Sequence, residues 1–199
     1  MRFLIAPAGM AAAAMLAYPV HAEPITFSSD TFQIIGGISS EATTPVRRSN
    51  YRGKEIVDFQ TQLAPGTILI RTKERKLYYI LPEGRAISYG IGVGREGFTW
   101  SGTDKVSRKA EWPDWVPPKE MIEREADRGN YLPVRMLGGP DNPLGARALY
   151  IGTTLYRIHG TNQPWSIGQS VSSGCIRLMN EEVIDLYNRV DVGATVVVE

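Results

Sequence analysis

Residues 159–178 read HGTNQPWSIGQSVSSGCIRL, from His159 to Leu178. This stretch holds Cys175, the sole cysteine, and one of the two histidines. The other, His21, lies in an apolar N-terminal leader. Thr154 to Gly160 (TLYRIHG) reads as a strand that ends on His159, and Cys175 to Leu178 (CIRL) as a short strand or strand exit. Both reactive side chains thus sit at strand ends flanked by glycine, where a sheet edge presents them together. Cys175 is expected to be a catalytic nucleophile, and His159 its base.

The flanking sequence is strand-rich. Ala146 to Gly152 reads as a strand before the histidine. Regular structure starts near Ile56, and Ala64-Pro65-Gly66 is a turn. Strands follow at Thr67 to Thr72 and Lys76 to Leu81, joined by a charged tip at Lys73-Glu74-Arg75. A third runs from Arg85 to Gly94, and its glycines at 90, 92 and 94 leave one face bare for another backbone or a ligand. No glycine-rich turn opens a helix there, so a dinucleotide fold is rejected. Residues 97–145 are the least regular. They carry a rigid Trp112 to Pro118 run and a short helix from Lys119 to Asp127, and are expected to form a lid rather than a packed layer. Past the cysteine, Asn180 is expected to cap a helix to about Val190, with Val183, Leu186, Tyr187 and Val190 on one face. Thr195 to Val198 closes as a strand.

Composition is that of one globular domain with a tail. The 199 residues are 43% hydrophobic and 22% charged, and include 20 Gly and 13 Pro, which favours turns and strands. Arg2, an apolar run to Ala17 and Val20-His21-Ala22 make residues 1–22 a cleavable signal peptide. The run is too short for a spanning helix, which needs ~20 apolar residues. Net charge is +1. Loss of Arg2 with the leader makes the mature chain neutral, so nothing asks for nucleic acid or an anionic membrane. Residues 23–59 read as a polar tail or linker, with a short strand near Phe32 to Ile38 as the alternative. A lone cysteine in an exported chain cannot pair within its own chain, and the glycine-bearing approach to Cys175 favours reactivity over burial.

A free thiol is only ~3% thiolate at pH 7, so a base helps. One oxyanion donor, worth roughly 2.7–4 kcal/mol, helps as much. Gly174 lets the backbone turn its N–H toward one point with that of Cys175, and Ser173 is a further candidate donor. Arg177, two residues past Cys175, shares its side of an extended chain and suits a substrate carboxylate or a structural ion pair. One His and one Cys do not make a metal centre, and no cofactor is implied.

At Ser172-Ser173-Gly174-Cys175-Ile176-Arg177-Leu178-Met179-Asn180, preceded by His159, the sequence resembles the YkuD-type L,D-transpeptidases. Their segment reads Ser-[His/Ser]-Gly-Cys-Ile-Arg-[Leu/Met]-x-Asn and follows a His at a similar spacing. The resemblance covers about residues 60–199. It implies a mostly β, sandwich- or barrel-like catalytic domain with a capping loop and a few short helices. It implies a periplasmic enzyme acting on peptidoglycan tetrapeptide stems: Cys175 attacks the third residue's carbonyl, D-Ala leaves, and an amine on a neighbouring stem resolves the thioester into a 3→3 cross-link. His159 is then base and acid, Gly174 and Ser173 line the oxyanion hole, and Arg177 orients substrate. Trp112 and Trp115 fall where the capping loop is expected, as substrate-binding candidates. Many members carry His where this chain has Ser173, so no role rests on a second imidazole. Carbapenem-type β-lactams are implied inhibitors.

Water as acceptor would give an L,D-carboxypeptidase. An amine of an envelope protein would give a protein-to-wall anchoring enzyme. A non-catalytic peptidoglycan-binding domain is the alternative from another class, but it would more naturally have lost His or Cys. A papain-like protease runs Cys before His, the reverse of this chain.

Overall fold

The computed structural model describes residues 53–95 and 100–199. The leader at 1–22, the tail up to residue 52 and the alternative strand at Phe32 to Ile38 lie outside the described residues. β1 (Glu55–Asp58), β2 (Ile68–Arg71), β3 (Lys76–Leu81) and β4 (Arg85–Gly90) pair antiparallel in the order β1-β4-β3-β2. The sheet therefore starts inside the segment assigned to the tail, near the expected first regular residue, Ile56. β11 (Thr195–Val198) adds to β2 in parallel. Its β-branched residues fill a strand whose Val196 is wholly buried.

The main departure from expectation is β6 (Gly102–Glu111), a ten-residue strand near the centre of the sheet, within the segment read as irregular. Its start pairs with β11, and from Val106 onward it pairs with β7 (Arg147–Ile151). The register shifts between Val106 and Arg108, a bulge of the kind that bends a strand from one sheet toward another. β8 (Arg157–His159) follows antiparallel to β7, and β10 (Ile176–Arg177) lies parallel to β8 at the edge.

That edge is tied back to the run leaving β4. The Gly92 N–H donates to the Arg177 carbonyl (2.9 Å), and the Arg177 N–H donates to the Gly92 carbonyl (2.8 Å). β5 (Val93–Gly94) then pairs with β9 (Ser170–Ser172). A Cβ on Gly92 would lie 2.7 Å from the Ser166 carbonyl oxygen, so the bare strand face does admit another backbone. The run leaving β4 thus meets the β10 edge over the larger apolar core, which includes Ile68, Leu77, Leu149, Ile158 and Leu186, while Leu69, Tyr78, Ile80 and Ala86 form a second cluster. Each such side chain stabilises by roughly 1.5–3 kcal/mol.

Helix α2 (Asn180–Arg189) buries Val183 and Leu186 in that core, with Val190 beyond its end. Asn180 is not its cap: Met179 holds that position without a side-chain hydrogen bond. The Asn180 Oδ1 instead accepts from the N–H groups of Ala146 (3.0 Å) and Thr161 (3.2 Å). It thus pins the start of β7 to the segment just past His159. At the other end of α2, Lys109 Nζ donates to the Tyr187 and Val190 carbonyls at 2.6 Å each. This sets a cation on the negative end of the helix.

Residues 112–145 form the cap. Helix α1 (Lys119–Ala126) is held between Trp115 and Met136, whose backbones exchange two hydrogen bonds of 2.8 Å. Asp114 ties the same closure together by pairing with Arg135 and accepting from the Gly138 N–H.

Candidate active site

In the parallel pair β8 and β10, Arg177 lies beside His159 and Ile176 beside Ile158. Side chains alternate along strands, so Ile158 and Ile176 enter the core. Arg157, His159, Cys175 and Arg177 share the opposite face. Neighbouring strands lie ~4.8 Å apart and rise ~3.3 Å per residue, which puts the Cα atoms of Cys175 and His159 about 8 Å apart. Both side chains line a cavity of about 330 Å³, roofed by Trp115, Pro118 and Met121 of the cap. The cap thus shares this cavity with Cys175 and His159, as a lid would.

His159 is buried, and its Nδ1 lies 2.5 Å from the Gly160 carbonyl oxygen. A carbonyl only accepts, so Nδ1 carries the proton and Nε2 is left as an acceptor. A backbone carbonyl therefore orients the imidazole, and no third side chain is required. Burial, with the nearby Arg177 guanidinium, pushes the imidazole down to about 3, so His159 is neutral in the resting site.

Cys175 follows a tight turn in which Gly174 has φ 112°. That conformation favours glycine. Ser172, wholly inside, holds this turn: its hydroxyl donates to the Cys175 carbonyl (2.6 Å) and accepts from the Gly174 N–H (3.1 Å). The Gly174 N–H, expected to face the oxyanion, thus donates to the Ser172 hydroxyl in this structure. The Cys175 and Ser173 N–H groups make no hydrogen bond among the described residues. The Ser173 hydroxyl accepts from Arg124 of α1 (3.4 Å), which joins the cap to the turn before Cys175. Burial pushes the Cys175 thiol up, while the Arg157 and Arg177 guanidinium groups draw it back down. The thiol sulfur reaches the Leu155 carbonyl at 3.8 Å.

Arg177 donates from Nη1 to Gln163 (3.3 Å), and its Nε is buried without a hydrogen-bond partner among the described residues. Trp115 borders the cavity. Trp112 does not: it sits at a positive-φ turn, 44% exposed, with its carbonyl packed on Gly138. Sequence reasoning misses Ser172 as a side-chain anchor, Arg157 and Arg124. The signal for Arg157 is its place two residues before His159 in one strand. Arg124 carries none. Among the described residues, no three His, Cys, Asp or Glu side chains group as a metal site would need.

Residues 65–198 match YkuD, described as the L,D-transpeptidase catalytic domain. The chain belongs to the YkuD family. Within it, the chain is 39% identical over 153 residues to a protein of Escherichia coli K12 named "Probable L,D-transpeptidase ErfK/SrfK", covering 72% of this chain and 48% of that one. This chain spans about half to three fifths of the length of the curated relatives ErfK/SrfK and YbiS. Among solved structures, one from Brucella melitensis named as a probable carnitine operon oxidoreductase is 47% identical, with a TM-score of 0.51 over 74% of this chain and 93% of that one. L,D-transpeptidase 3 of Mycobacterium tuberculosis, solved with a faropenem-derived adduct, shares the fold at 19% identity and a TM-score of 0.51, covering 67% of this chain and 59% of that one. The YkuD assignment agrees with the mostly β architecture and with the segment around Cys175.

Proposed function

We infer that this YkuD domain is a cysteine L,D-transpeptidase that works on peptidoglycan tetrapeptide stems through a thioester and forms 3→3 cross-links. The observation that carries this reading is the placement of Cys175 and His159 on one face of adjacent parallel strands, lining one cavity. As the sulfur attacks the carbonyl carbon of the third stem residue, the thiol proton passes to Nε2 of His159. The tetrahedral oxyanion faces the Cys175 and Ser173 N–H groups. The C–N bond to D-Ala then breaks, and His159 returns the proton to the leaving amine. An amine of a second stem attacks the thioester and restores the thiol. The unpaired Nε of Arg177 is a donor for a stem carboxylate. The thiol, imidazole and guanidinium groups gathered here suit acyl transfer better than the oxidoreductase name of the Brucella structure. The leader at residues 1–22 supports export to the periplasm. The faropenem adduct of the mycobacterial relative supports β-lactams of the penem and carbapenem type as acylating inhibitors.

The test is intact mass of the protein after incubation with a disaccharide tetrapeptide, beside Cys175→Ala. The expected result is an adduct short of D-Ala, present only with Cys175 and transferred to an added stem amine. Released D-Ala without transfer would make water the acceptor, and transfer only to an envelope-protein amine would make it an anchoring enzyme. A folded protein with no adduct and no D-Ala release would overturn the reading in favour of a binding domain.

A further inference from the structure

Strand register sets four side chains in a row across the site face. Arg108 of β6 lies opposite Tyr150 of β7, and Tyr150 opposite Arg157 of β8. Continuing the β8–β10 register by one residue places Cys175 next after Arg157. The Tyr150 ring lies between two guanidinium groups, with Arg108 Cζ 3.6 Å and Arg157 Cζ 5.5 Å from its centroid. Both distances are within cation–π range. Arg157 Nε also donates to the Leu155 carbonyl (3.3 Å), the same oxygen that the Cys175 sulfur reaches at 3.8 Å. The Arg157 head is thus held on a ring and a carbonyl beside the thiol, and it pairs with no carboxylate among the described residues.

The groups around the sulfur are otherwise neutral or cationic. β8 presents His159 beside Arg157, and Tyr156 lines the same wall. Arg177 stands two residues along from Cys175 with Arg95 near it, and α1 brings Arg124 to Ser173. Among the described residues, no carboxylate lines the cavity. A negative charge on sulfur would therefore meet the Arg157 guanidinium.

We propose that Arg157 is a third catalytic residue, the fixed counter-charge that stabilises the Cys175 thiolate once its proton has passed to His159. This rests on Cys175 being the nucleophile. Neutral His159 supplies a proton acceptor but, in its buried position, is a poor standing cation. Arg157 supplies the charge without taking part in proton transfer. Tyr150 is then a positioning residue for Arg157.

Alkylation of Cys175 by iodoacetamide tests this without any stem peptide. The thiolate forms the S–C bond and iodide leaves, so the rate follows the thiolate population. The second-order rate is measured by intact mass against pH for the unaltered protein, Arg157→Gln and Arg157→Lys, with thermal unfolding of each. The expected result for Arg157→Gln is a midpoint raised by about one pH unit and a rate at pH 7 reduced about tenfold. Arg157→Lys keeps the charge and is expected to stay within about threefold of the unaltered protein. Should Arg157→Gln not fold, Arg157→Met, whose unbranched chain still packs on Tyr150, gives the same readout. A folded Gln or Met variant whose profile superimposes on the unaltered one would overturn the proposal. If the unaltered protein is not alkylated at any pH, the nucleophile assignment itself fails.

Discussion

A histidine in water is half protonated near pH 6.5, but His159 is held neutral down to about 3. Its unfolded form takes up a proton below pH 6.5 and its folded form does not. The stability it lends is therefore complete above pH 6.5 and falls as the pH drops toward 3. Between pH 6.5 and 4.5 the expected loss is about 2–3 kcal/mol. His159→Gln should flatten that slope in urea unfolding followed from pH 8 to 4.5. Equal slopes in the two proteins would mean that the imidazole is charged when folded. Asn180 acts on the same residue from outside the cavity, because it fixes the chain at Thr161, two residues past the imidazole. Asn180→Ala leaves two backbone N–H groups without an acceptor, at about 1–3 kcal/mol each. Its melting temperature should fall by several degrees, and Asn180→Asp, which keeps the oxygen, should recover most of the loss.

The elements that carry the site differ in how plainly they are written in the chain. The apolar runs at β2, β3, β7 and β11, and the i, i+3 and i+7 spacing of Val183, Leu186 and Val190, announce strands and a helix because burial itself dictates those periods. β6 has no such period. Its GTDKVSRKAE buries only Val106, and hydrogen-bond ladders on both sides hold it instead. Lys109 lies half-buried in that strand because the C-terminal carbonyls of α2 solvate its ammonium, a partner that no local pattern reveals. The meeting of Cys175 and His159 in one cavity is legible because residue types and spacing mark the two. The hydrogen bond from the Gly174 N–H to the Ser172 hydroxyl is not, because only the folded turn creates it. Lys109→Met tests the role given to β6: it removes the ammonium that the Tyr187 and Val190 carbonyls accept from, and a loss of about 1–2 kcal/mol is expected, measured by urea unfolding. At the cap, Arg124→Ala removes the contact to Ser173 and should raise KM for a tetrapeptide donor more than it lowers kcat. A fall in kcat alone would place Arg124 in the chemistry rather than in holding the cap.

Across the whole molecule, Asp185 of α2 gathers three otherwise separate parts. It accepts from Tyr89 of β4 (2.6 Å) and from Arg189 (2.9 and 3.0 Å), and pairs with Lys54 ahead of β1 (2.5 Å). These donors, Arg189 first, hold its carboxyl well below the usual carboxylate range, and the Tyr89 hydroxyl is pushed up by its burial and by that carboxylate. The folded state therefore keeps Asp185 ionised at a pH where the unfolded chain takes up a proton. Its contribution is fully present above about pH 4 and is lost as the pH falls further toward the lowered folded value. That window lies mostly below the range assigned to His159, so the two act in sequence as acid is added. Asp185→Asn should cost about 1.5–3 kcal/mol at pH 7, the usual worth of hydrogen bonds to a charged group. The gap to the unaltered protein should narrow steadily between pH 4 and 2 in guanidinium unfolding. A constant gap across that range would mean that the junction of β4, α2 and the chain before β1 depends on the shape of the side chain and not on its charge.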